Sequence, residues 1–419
     1  MSDQAPYSRR SFLSGVIATG TLAAVATYAA PGGRLQSRVE LRLSTGGDPT
    51  GARDLLVSMW NETNPQTIVR VDPIDSGSGD ERRIMLEKAA AGEADLLNLD
   101  IVDVPEFATK GLIEKIPPTG GRQLITPLEQ VSRVPDEPGA YWAAPFNTDV
   151  GMLFTRLDGD STEAPPRRLP DLLATIPDGS QQFVGQLRPN VSAFYEAFVV
   201  NVLEHAVAER PAVLKPLGTP GVERPADRIS TDLELWKAAL QPLKDAIDAG
   251  KVLTSGGEPE SLEAFGAADS TIRYLRSWPV EYRKLQLAGN RDVATGRIRV
   301  DPLSQGILGG QSLAVVADSR YVDRALAFIS FATSEGAQKI LASHGIAPTA
   351  IGAYNDPNLR ASIPHLVRVR EAVENSLPRP VHPGYRRFSD VVKEHVERFL
   401  YEDQDLSPQF TTEMASALA

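Results

Sequence analysis

A regular alternation of strand-like and helix-like segments constrains this chain most, and it begins just after residue 38. Val39–Ser44 alternates apolar and polar side chains, which is typical of a strand. The segment that opens at Gly51 carries apolar residues on one helical face and stops at Asn64-Pro65. The alternation continues with strands at Thr67–Asp72 and Leu96–Ile101 and helices at Asp80–Ala91 and Pro105–Lys110. This order predicts a parallel sheet flanked by helices.

The chain is 419 residues long, which is too much for one hydrophobic core. A second block holds the extended run Trp142–Phe154 and two helices, Ser192–Val207 and Ser230–Ala249. A third block holds the strand Ser312–Val316, a helix from about Val322 and an apolar helical stripe from Phe388 to Leu400. We therefore predict an α/β protein with more than one core.

The charge balance excludes one large class of partner. The formal net charge is -11 and the isoelectric point about 5.1. No stretch concentrates lysine and arginine, so a nucleic-acid backbone would be repelled. The sequence has no cysteine, which excludes disulfides, thiolate metal sites and a thioether lipid anchor.

Signatures of enzymes are missing from the sequence. The histidines do not fall at metal-ligand spacing, and no G-x-S-x-G elbow occurs. Gly46-Gly47-Asp48-Pro49-Thr50-Gly51 is only superficially like a phosphate loop, because Ala52 stands where lysine is needed. We predict no catalytic residue, no metal ligand and no cofactor. The histidines are His205, His344, His365, His382 and His395.

The first 30 residues have the pattern of an export signal. Arg9 and Arg10 precede Phe12-Leu13, a charge-free apolar segment follows, and Ala24-Val25-Ala26 places small residues where a signal peptidase reads. We predict a twin-arginine signal peptide over 1–30 and a location outside the cytoplasm. Retention as an uncleaved anchor, or a plain tail that happens to carry an arginine pair, are the alternatives.

Five segments carry a resemblance to a known family. They are LLNLDIVDVPEFATKGLIEKI at 96–116, PFNTDVGMLFTRLD at 145–158, YLRSWPVEY at 274–282, ILGGQSLAVVADS at 307–319 and LPRPVHPGYRRFSDVV at 377–392. In this order the chain resembles the family 1 extracellular solute-binding proteins, the maltose- and trehalose-type receptors of ABC importers.

The resemblance implies a type II periplasmic-binding-protein fold, with two α/β lobes joined by a hinge and a ligand cleft between them. The N-lobe would be 38–146 plus 311–349, and the C-lobe 147–310 plus 350–419. Pro145, Gly309-Gly310 and Pro348 stand where the hinges should be. The expected partners are a small polar ligand, a sugar above all, and an ABC permease pair, and we expect a monomer.

Three acidic candidates for ligand binding precede helices of the first block. Asp100 ends a buried strand, at the edge where open α/β sheets bind ligands, and the family places a hydroxyl-binding aspartate there. Asp103 lies three residues on, and Asp48 lies in the first strand–helix loop. The alternative for Asp100 and Asp103 is helix capping, and for Asp48 a plain turn.

Eight more candidates follow from the resemblance. Asn147 and Asp149 lie in the first crossing segment, where tying the hinge together is the alternative role. Arg379 matches the family's Arg-Pro, and an interlobe salt bridge is the alternative. Trp278 and Tyr385 are candidate aromatic platforms, with a core position as the alternative. The remaining candidates lie at the second crossing, Gly309, Gly310 and Gln311.

Two departures from the family pattern leave other functions open. Relatives usually place a tryptophan near Val102 and another directly after the glycine pair, where this chain has Gln311. The stacking surface for a disaccharide is therefore reduced. A receptor-derived sensor or partner-binding protein that feeds no transporter is one alternative, and a secreted glycan hydrolase is another.

Overall fold

The computed structural model describes residues 38–74, 81–119, 123–158, 163–188, 196–220, 222 and 224–419. The predicted twin-arginine signal lies outside these residues. Within them, no helix combines the length and the apolar character that crossing a bilayer would need.

The first sheet is built largely from the alternating segments that the sequence predicts. Its first three strands are parallel, as expected, whereas β10 runs antiparallel to β3 and to β4. The described strand order is β11-β4-β10-β3-β1-β2, with β12 alongside β10. The bounds are β1 Val39–Gly46, β2 Thr67–Ile74, β3 Leu96–Asp100, β4 Ala144–Val150, β10 Ile307–Val315, β11 Ala347–Pro348 and β12 Leu377–Pro378.

A second, smaller sheet follows the order β7-β6-β8-β5-β9. It mixes parallel and antiparallel pairs, with β6 parallel to β7 and β8 and β5 antiparallel to β8 and β9. The bounds are β5 Met152–Arg156, β6 Phe183–Gly185, β7 Val252–Thr254, β8 Tyr274–Ser277 and β9 Ile298–Pro302. Two separate sheets in one chain account for the need for more than one core.

Helices cover both sheets. Those of the first half are α1 Ala52–Thr63, α2 Glu81–Ala90, α3 Val104–Thr109, α4 Thr126–Ser132, α5 Leu169–Thr175, α6 Ala197–Glu209 and α7 Leu233–Asp248. The next are α8 Glu258–Gly266, α9 Val280–Leu287, α10 Arg291–Ala294, α11 Val322–Ala332 and α12 Glu335–Ser343. The last are α13 Ile351–Asn355, α14 Pro357–Ser362, α15 Leu366–Glu374, α16 Tyr385–Tyr401 and α17 Pro408–Ala417.

Two stretches of chain cross directly between the sheets. Strand β4 passes into β5 through Gly151, and β9 passes into β10 through residues 303–306. A side chain at Gly151 has no room, because its Cβ would lie 2.8 Å from the Arg276 Nε and 2.7 Å from a Glu204 carboxylate oxygen. Strands β4 and β10 both belong to the first sheet and pair from Leu308–Val150 to Leu313–Ala144, with a register shift between Gln311 and Ser312. The predicted lobe boundaries depend on how the two halves move, and they stay predictions.

The apolar core follows this division. Two clusters of buried side chains pack on the two faces of the first sheet. A larger cluster fills the second sheet and extends through the C-terminal helices α15 to α17. Ile101 and Val102, which directly follow β3, belong to that larger cluster. The end of β3 is therefore a point of contact between the two halves.

Candidate ligand-binding site

Strand register places three of the candidate side chains in one row across the first sheet. Gln311 of β10 lies opposite Asp100 of β3 on one side and opposite Asn147 of β4 on the other. Cross-strand partners project from the same face of a sheet. The Asn147 Nδ2 donates to the Gln311 Oε1 at 2.5 Å. Asp149, two residues further along β4, continues the same face.

Several hydrogen-bonding groups of this row have no partner among the described residues. Asn147 is 7% exposed, and within the described residues its side-chain oxygen has no donor. The Gln311 amide nitrogen and the Asp149 carboxylate also lack a hydrogen-bond partner in the described part of the chain. Asn147 is buried and Gln311 and Asp149 are half-buried, and polar groups in such positions are normally satisfied by protein, water or ligand. The row is therefore suited to bind the hydroxyls of a small molecule.

The glycine pair lets the crossing strands approach this closely. Gly309 lies opposite Asp149, and a Cβ there would be 3.4 Å from the Asp149 Cβ. Gly310 has a φ of 124°, and its Cβ would lie 2.6 Å from the Thr148 Cα. Both residues have a backbone role in this structure, and direct ligand contact by either stays a prediction.

Asp100 and Arg379, two candidates from opposite ends of the chain, are paired with each other. The Arg379 Nη2 lies 3.1 Å from the Asp100 Oδ1, and Arg379 is 3% exposed. The Asp100 Oδ1 also accepts from the Val102 N–H in the turn before α3, which is not a helix cap because α3 begins at Val104. This ion pair joins the end of β3 to the segment that follows β12.

Asp103 makes a second bridge of the same kind. Its two carboxylate oxygens accept from Arg386 at 2.7 Å each, a bidentate pair of near-ideal geometry. Asp103 precedes α3 but makes no side-chain capping bond there. Arg386 lies in the first turn of α16, which packs against α6 and α7 beside the second sheet. The pair therefore connects the two halves of the molecule.

Glu196, directly before α6, gathers the cations at this end. It accepts from Arg386 at 2.9 Å, from Ser389 at 2.7 Å and from the Tyr385 hydroxyl at 2.8 Å. Burial alone would raise its pKa, but the charges of Arg386, Lys393 and Arg379 outweigh this and lower the pKa to about 2. Glu196 is therefore a fixed negative charge.

Tyr385 is a poor candidate platform in this arrangement. Its ring is 1% exposed, packs on Phe388 and has the Arg379 guanidinium 5.4 Å from its centroid. Little of its surface is left for a ligand. Its hydroxyl positions Glu196 instead.

Trp278 lies beside the second sheet, and its bonded partner Glu258 is one of the charges that act on Asp149. It stands between β8 and α9, as its neighbour Pro279 suggests, and it is half-buried. Its Nε1 donates to Glu258, and the guanidinium of Arg276 lies 4.0 Å from its ring centroid. Arg276 is itself held in a fully buried pair with Glu204, at 2.6 and 2.8 Å. The indole is thus held firmly by polar contacts on one face and one edge.

Asp149 lies in an unusually acidic environment. Burial raises its pKa to about 7, and the nearby charges of Glu258, Asp100 and Glu281 act in the same direction, with Lys284 opposing them. The carboxyl group is therefore present in both protonation states near neutral pH. It could accept hydrogen bonds in one state and donate one in the other.

Asp48 makes its contacts within its own loop. Its carboxylate accepts from the backbone N–H groups of Thr50 and Arg53 and from the Thr50 hydroxyl. These bonds lower its pKa although burial opposes them. The turn that the sequence left as the alternative is therefore present, and ligand contact by Asp48 stays a prediction.

Several residues of this region escape sequence reasoning. Glu196, Glu258 and Glu281 precede or begin helices, a position where any acidic residue is favoured by the helix dipole. Arg386 lies next to Tyr385 in the segment 377–392 that resembles the family, and this position could have marked it as a candidate site residue. No group of three or more potential metal ligands occurs in the part of the chain that the structure describes.

Comparison with known proteins agrees with this architecture. The chain is similar in structure to maltose-bound MalE3 of T. maritima, with 24% sequence identity, a TM-score of 0.73 and coverage of 91% of this chain and 99% of that one. It is also similar to an ABC transporter solute-binding protein of Thermotoga lettingae TMO bound with α-D-tagatose, with 18% identity, a TM-score of 0.71 and coverage of 91% and 100%. The sugar-binding protein MalE of Xanthomonas citri gives 18% identity, a TM-score of 0.70 and coverage of 91% and 96%.

These likenesses confirm the type II periplasmic-binding-protein fold, with two α/β lobes and the cleft between them. Independently, residues 56–363 match a protein family described as bacterial extracellular solute-binding protein. The family is one of binding proteins, which agrees with the missing catalytic signatures. The match spans more than half of the chain, and the chain therefore belongs to the family of bacterial extracellular solute-binding proteins.

Proposed function

We propose that this protein captures a small polar ligand, a mono- or oligosaccharide, by closing its two lobes, and delivers it to the permease pair of an ABC importer. The observation that carries the proposal is the row of Asp100, Gln311, Asn147 and Asp149 on the crossing strands. These side chains offer acceptors and donors on one face, and Trp278 would lie at the Asp149 end of the row, beside Glu258. A sugar can present its hydroxyls to the polar side chains of the row and the apolar face of its ring to the indole of Trp278.

The similar structures support the same ligand class. The T. maritima protein is described with maltose and the T. lettingae protein with tagatose. In this chain the binding contacts would come from Asn147, Asp149, Gln311 and Trp278. Asp100, Asp103, Arg379 and Tyr385 would hold the lobes together around the ligand, and the glycine pair would shape the hinge.

The proposed motion is a hinge between an N-lobe of 38–146 plus 311–349 and a C-lobe of 147–310 plus 350–419. A ligand that contacts both lobes binds the closed form preferentially and shifts the population toward it. Small-angle scattering should therefore give a smaller radius of gyration with ligand. An unchanged radius at saturating ligand would show a rigid receptor.

Ligand identity is best tested with a thermal-shift panel of mono- and disaccharides followed by calorimetry. Asn147→Ala and Gln311→Ala should each weaken binding by about 2- to 13-fold, because a neutral hydrogen bond contributes about 0.5–1.5 kcal/mol. Asp269→Asn, an exposed position of the second half, is the control and should bind normally. Hydrolysis of a glycoside by the protein would contradict the receptor proposal and indicate a hydrolase. Ligand binding without uptake of that ligand by the cell would favour a sensor.

The proposed location is outside the cytoplasm, reached by twin-arginine export. The support is the arginine pair with its apolar segment and the extracellular family to which the chain belongs. Changing Arg9 and Arg10 together to lysine should keep the protein in the cytoplasm. Normal export in a strain without the twin-arginine translocase would contradict this route.

A further inference from the structure

The two ends of the candidate site differ in how their charges are balanced. At the Arg379 end, each of the central carboxylates has a cation close by: Arg379 lies 3.1 Å from Asp100, and Arg386 lies 2.7 Å from Asp103 and 2.9 Å from Glu196. At the Trp278 end, the carboxylates are Asp149, Glu258 and Glu281. The two basic residues that act on them there are already engaged.

Those two basic residues are Arg276 and Lys284. Arg276 is fully buried in its bidentate pair with Glu204, so its charge is already balanced. Lys284 donates to the Glu281 Oε1 at 2.6 Å. The negative charge of Asp149 therefore has no described cation of its own, although it lies among other carboxylates that act on it.

Glu281 supplies an independent sign of a missing partner. The residue is 1% exposed, and its Oε2 is buried with no hydrogen-bond partner in the described part of the chain. The Glu281 N–H donates to the Trp278 carbonyl at 3.1 Å, which places Glu281 beside Trp278, and its charge acts on both Asp149 and Glu258. A buried carboxylate oxygen without a donor is costly, and a positively charged donor is the partner that relieves it best.

A fixed aromatic ring borders these carboxylates. Trp278 is bonded to Glu258 through its Nε1 and remains half-buried. Indole rings attract cations as well as the apolar faces of sugars. Asn147 and Gln311 adjoin Asp149 with amide groups that suit hydroxyls. Carboxylates, an indole and neutral amides together fit a molecule with both a positive charge and hydroxyl groups.

We propose that the ligand of this receptor is a hydroxylated ring or short polyol that bears an ammonium group, and that the ammonium lies beside Asp149, Glu281 and Trp278. The inference rests on the proposed capture of a polar solute and narrows its chemical class. The hydroxyls are held by Asn147 and Gln311. The ammonium donates to the Asp149 carboxylate and neutralises the acidic end of the cleft.

The test compares matched pairs of probes that differ in the amine alone. They are D-glucosamine with D-glucose, D-galactosamine with D-galactose, and 1-amino-1-deoxy-D-sorbitol with D-sorbitol, with N-acetyl-D-glucosamine as the uncharged derivative. Calorimetry near neutral pH should show at least one amine that binds about 10- to 100-fold more tightly than its neutral partner, the range of a hydrogen bond to a charged group. The preference should shrink at high salt.

Variants locate the effect. Asp149→Asn keeps the shape of the side chain and should remove most of the preference for the amine while neutral probes change by only a few-fold. Glu281→Gln should reduce the preference in the same direction, and it serves if Asp149→Asn fails to fold. Asp269→Asn removes an exposed carboxylate elsewhere in the same half and should leave the preference intact.

The outcomes separate this inference from the proposed function. Neutral sugars that bind as tightly as their amines overturn the ammonium proposal and leave sugar capture standing. An amine preference that survives both Asp149→Asn and Glu281→Gln also overturns it, since other residues would then bind the ammonium group. Failure of every probe to bind counts against the ammonium proposal and against capture of a simple sugar together.

Discussion

Trp278 carries the most specific prediction at the scale of a single residue. Loss of its ring by Trp278→Ala should cost about 2–4 kcal/mol of ligand binding, or about 30- to 800-fold in affinity, from lost burial and aromatic contact. Because the ring is only half-buried, the unliganded protein should lose less stability than a core truncation costs. Melting the wild type and the variant with and without ligand measures both quantities.

Trp236 provides the matched control, because it is fully buried in the core beside Phe410. Truncation of Trp236 to alanine should lower the free energy of unfolding by about 3–5 kcal/mol. A Trp278→Ala protein that melts like this control, yet keeps its shift with ligand, would make Trp278 a core residue and end its role as a platform.

The individual site residues were predictable to different degrees. Asp100, Asn147 and Gln311 were each expected in or beside a strand, and the observed strand register brings them into one row. The cation that pairs with Asp103, and the glutamates whose charges act on Asp149, come from helices far along the chain, and no local pattern marks them. Glu281, with its unpaired oxygen, looks in the sequence like any acidic residue in the first turn of a helix. Its special position comes from tertiary packing alone.

At the scale of elements, the glycine pair of β10 can be tested directly. Gly310→Ala would force a side chain into a left-handed backbone conformation and against the neighbouring strand, 2.6 Å from the Thr148 Cα. The free energy of unfolding should fall by at least about 1–3 kcal/mol, measured by denaturant melting. Wild-type stability in this variant would show that the strands can separate without cost.

Gly336→Ala is the control for that measurement. Gly336 lies in α12, and the atom nearest to its added Cβ is 4.0 Å away. Alanine in a helix is favoured over glycine by about 0.5–1 kcal/mol, so this variant should be slightly more stable. Opposite signs for the two glycines would separate the close strand approach from a general effect of the substitution.

The elements themselves were predicted best where the periodicity is long. Strands β1 to β3 and helices α1 to α3 begin and end within two residues of the expected positions, because each has enough residues to show its pattern. The three-residue strands β6 and β7 were not expected, since so few residues carry no period. The sequence also did not predict that β10 inserts antiparallel between β3 and β4, because this depends on where a segment distant in the chain joins the sheet.

For the whole molecule, the ion pairs between the two halves predict a salt-sensitive balance between open and closed forms. Asp103→Asn would remove the charge from the bidentate pair with Arg386 and weaken closure by about 1.5–3 kcal/mol, which is about 10- to 100-fold in population. The radius of gyration without ligand should then rise at low salt. The radius of gyration of the wild type should also rise at high salt, but by less, since salt screens buried ion pairs only weakly.

Glu87→Gln is the matched control, because its exposed pair with Arg83 lies on the surface of one helix. Exposed pairs contribute at most about 1 kcal/mol, and this one joins no separate parts. Its radius of gyration should equal that of the wild type. Equal radii for Asp103→Asn, Glu87→Gln and wild type would mean that the ion pairs do not control closure.

The fully buried pair of Arg276 and Glu204 has a consequence for how such chains diverge. Both residues are 0% exposed, and the pair lies against Gly151 and within reach of the Ile307 N–H, at the places where the chain crosses between sheets. Changing either residue alone would leave the other charge buried without a partner and would lower the free energy of unfolding by about 3–5 kcal/mol. Descendant sequences should therefore carry both charges or neither, and position 151 should stay glycine while both remain, because a Cβ there has no room.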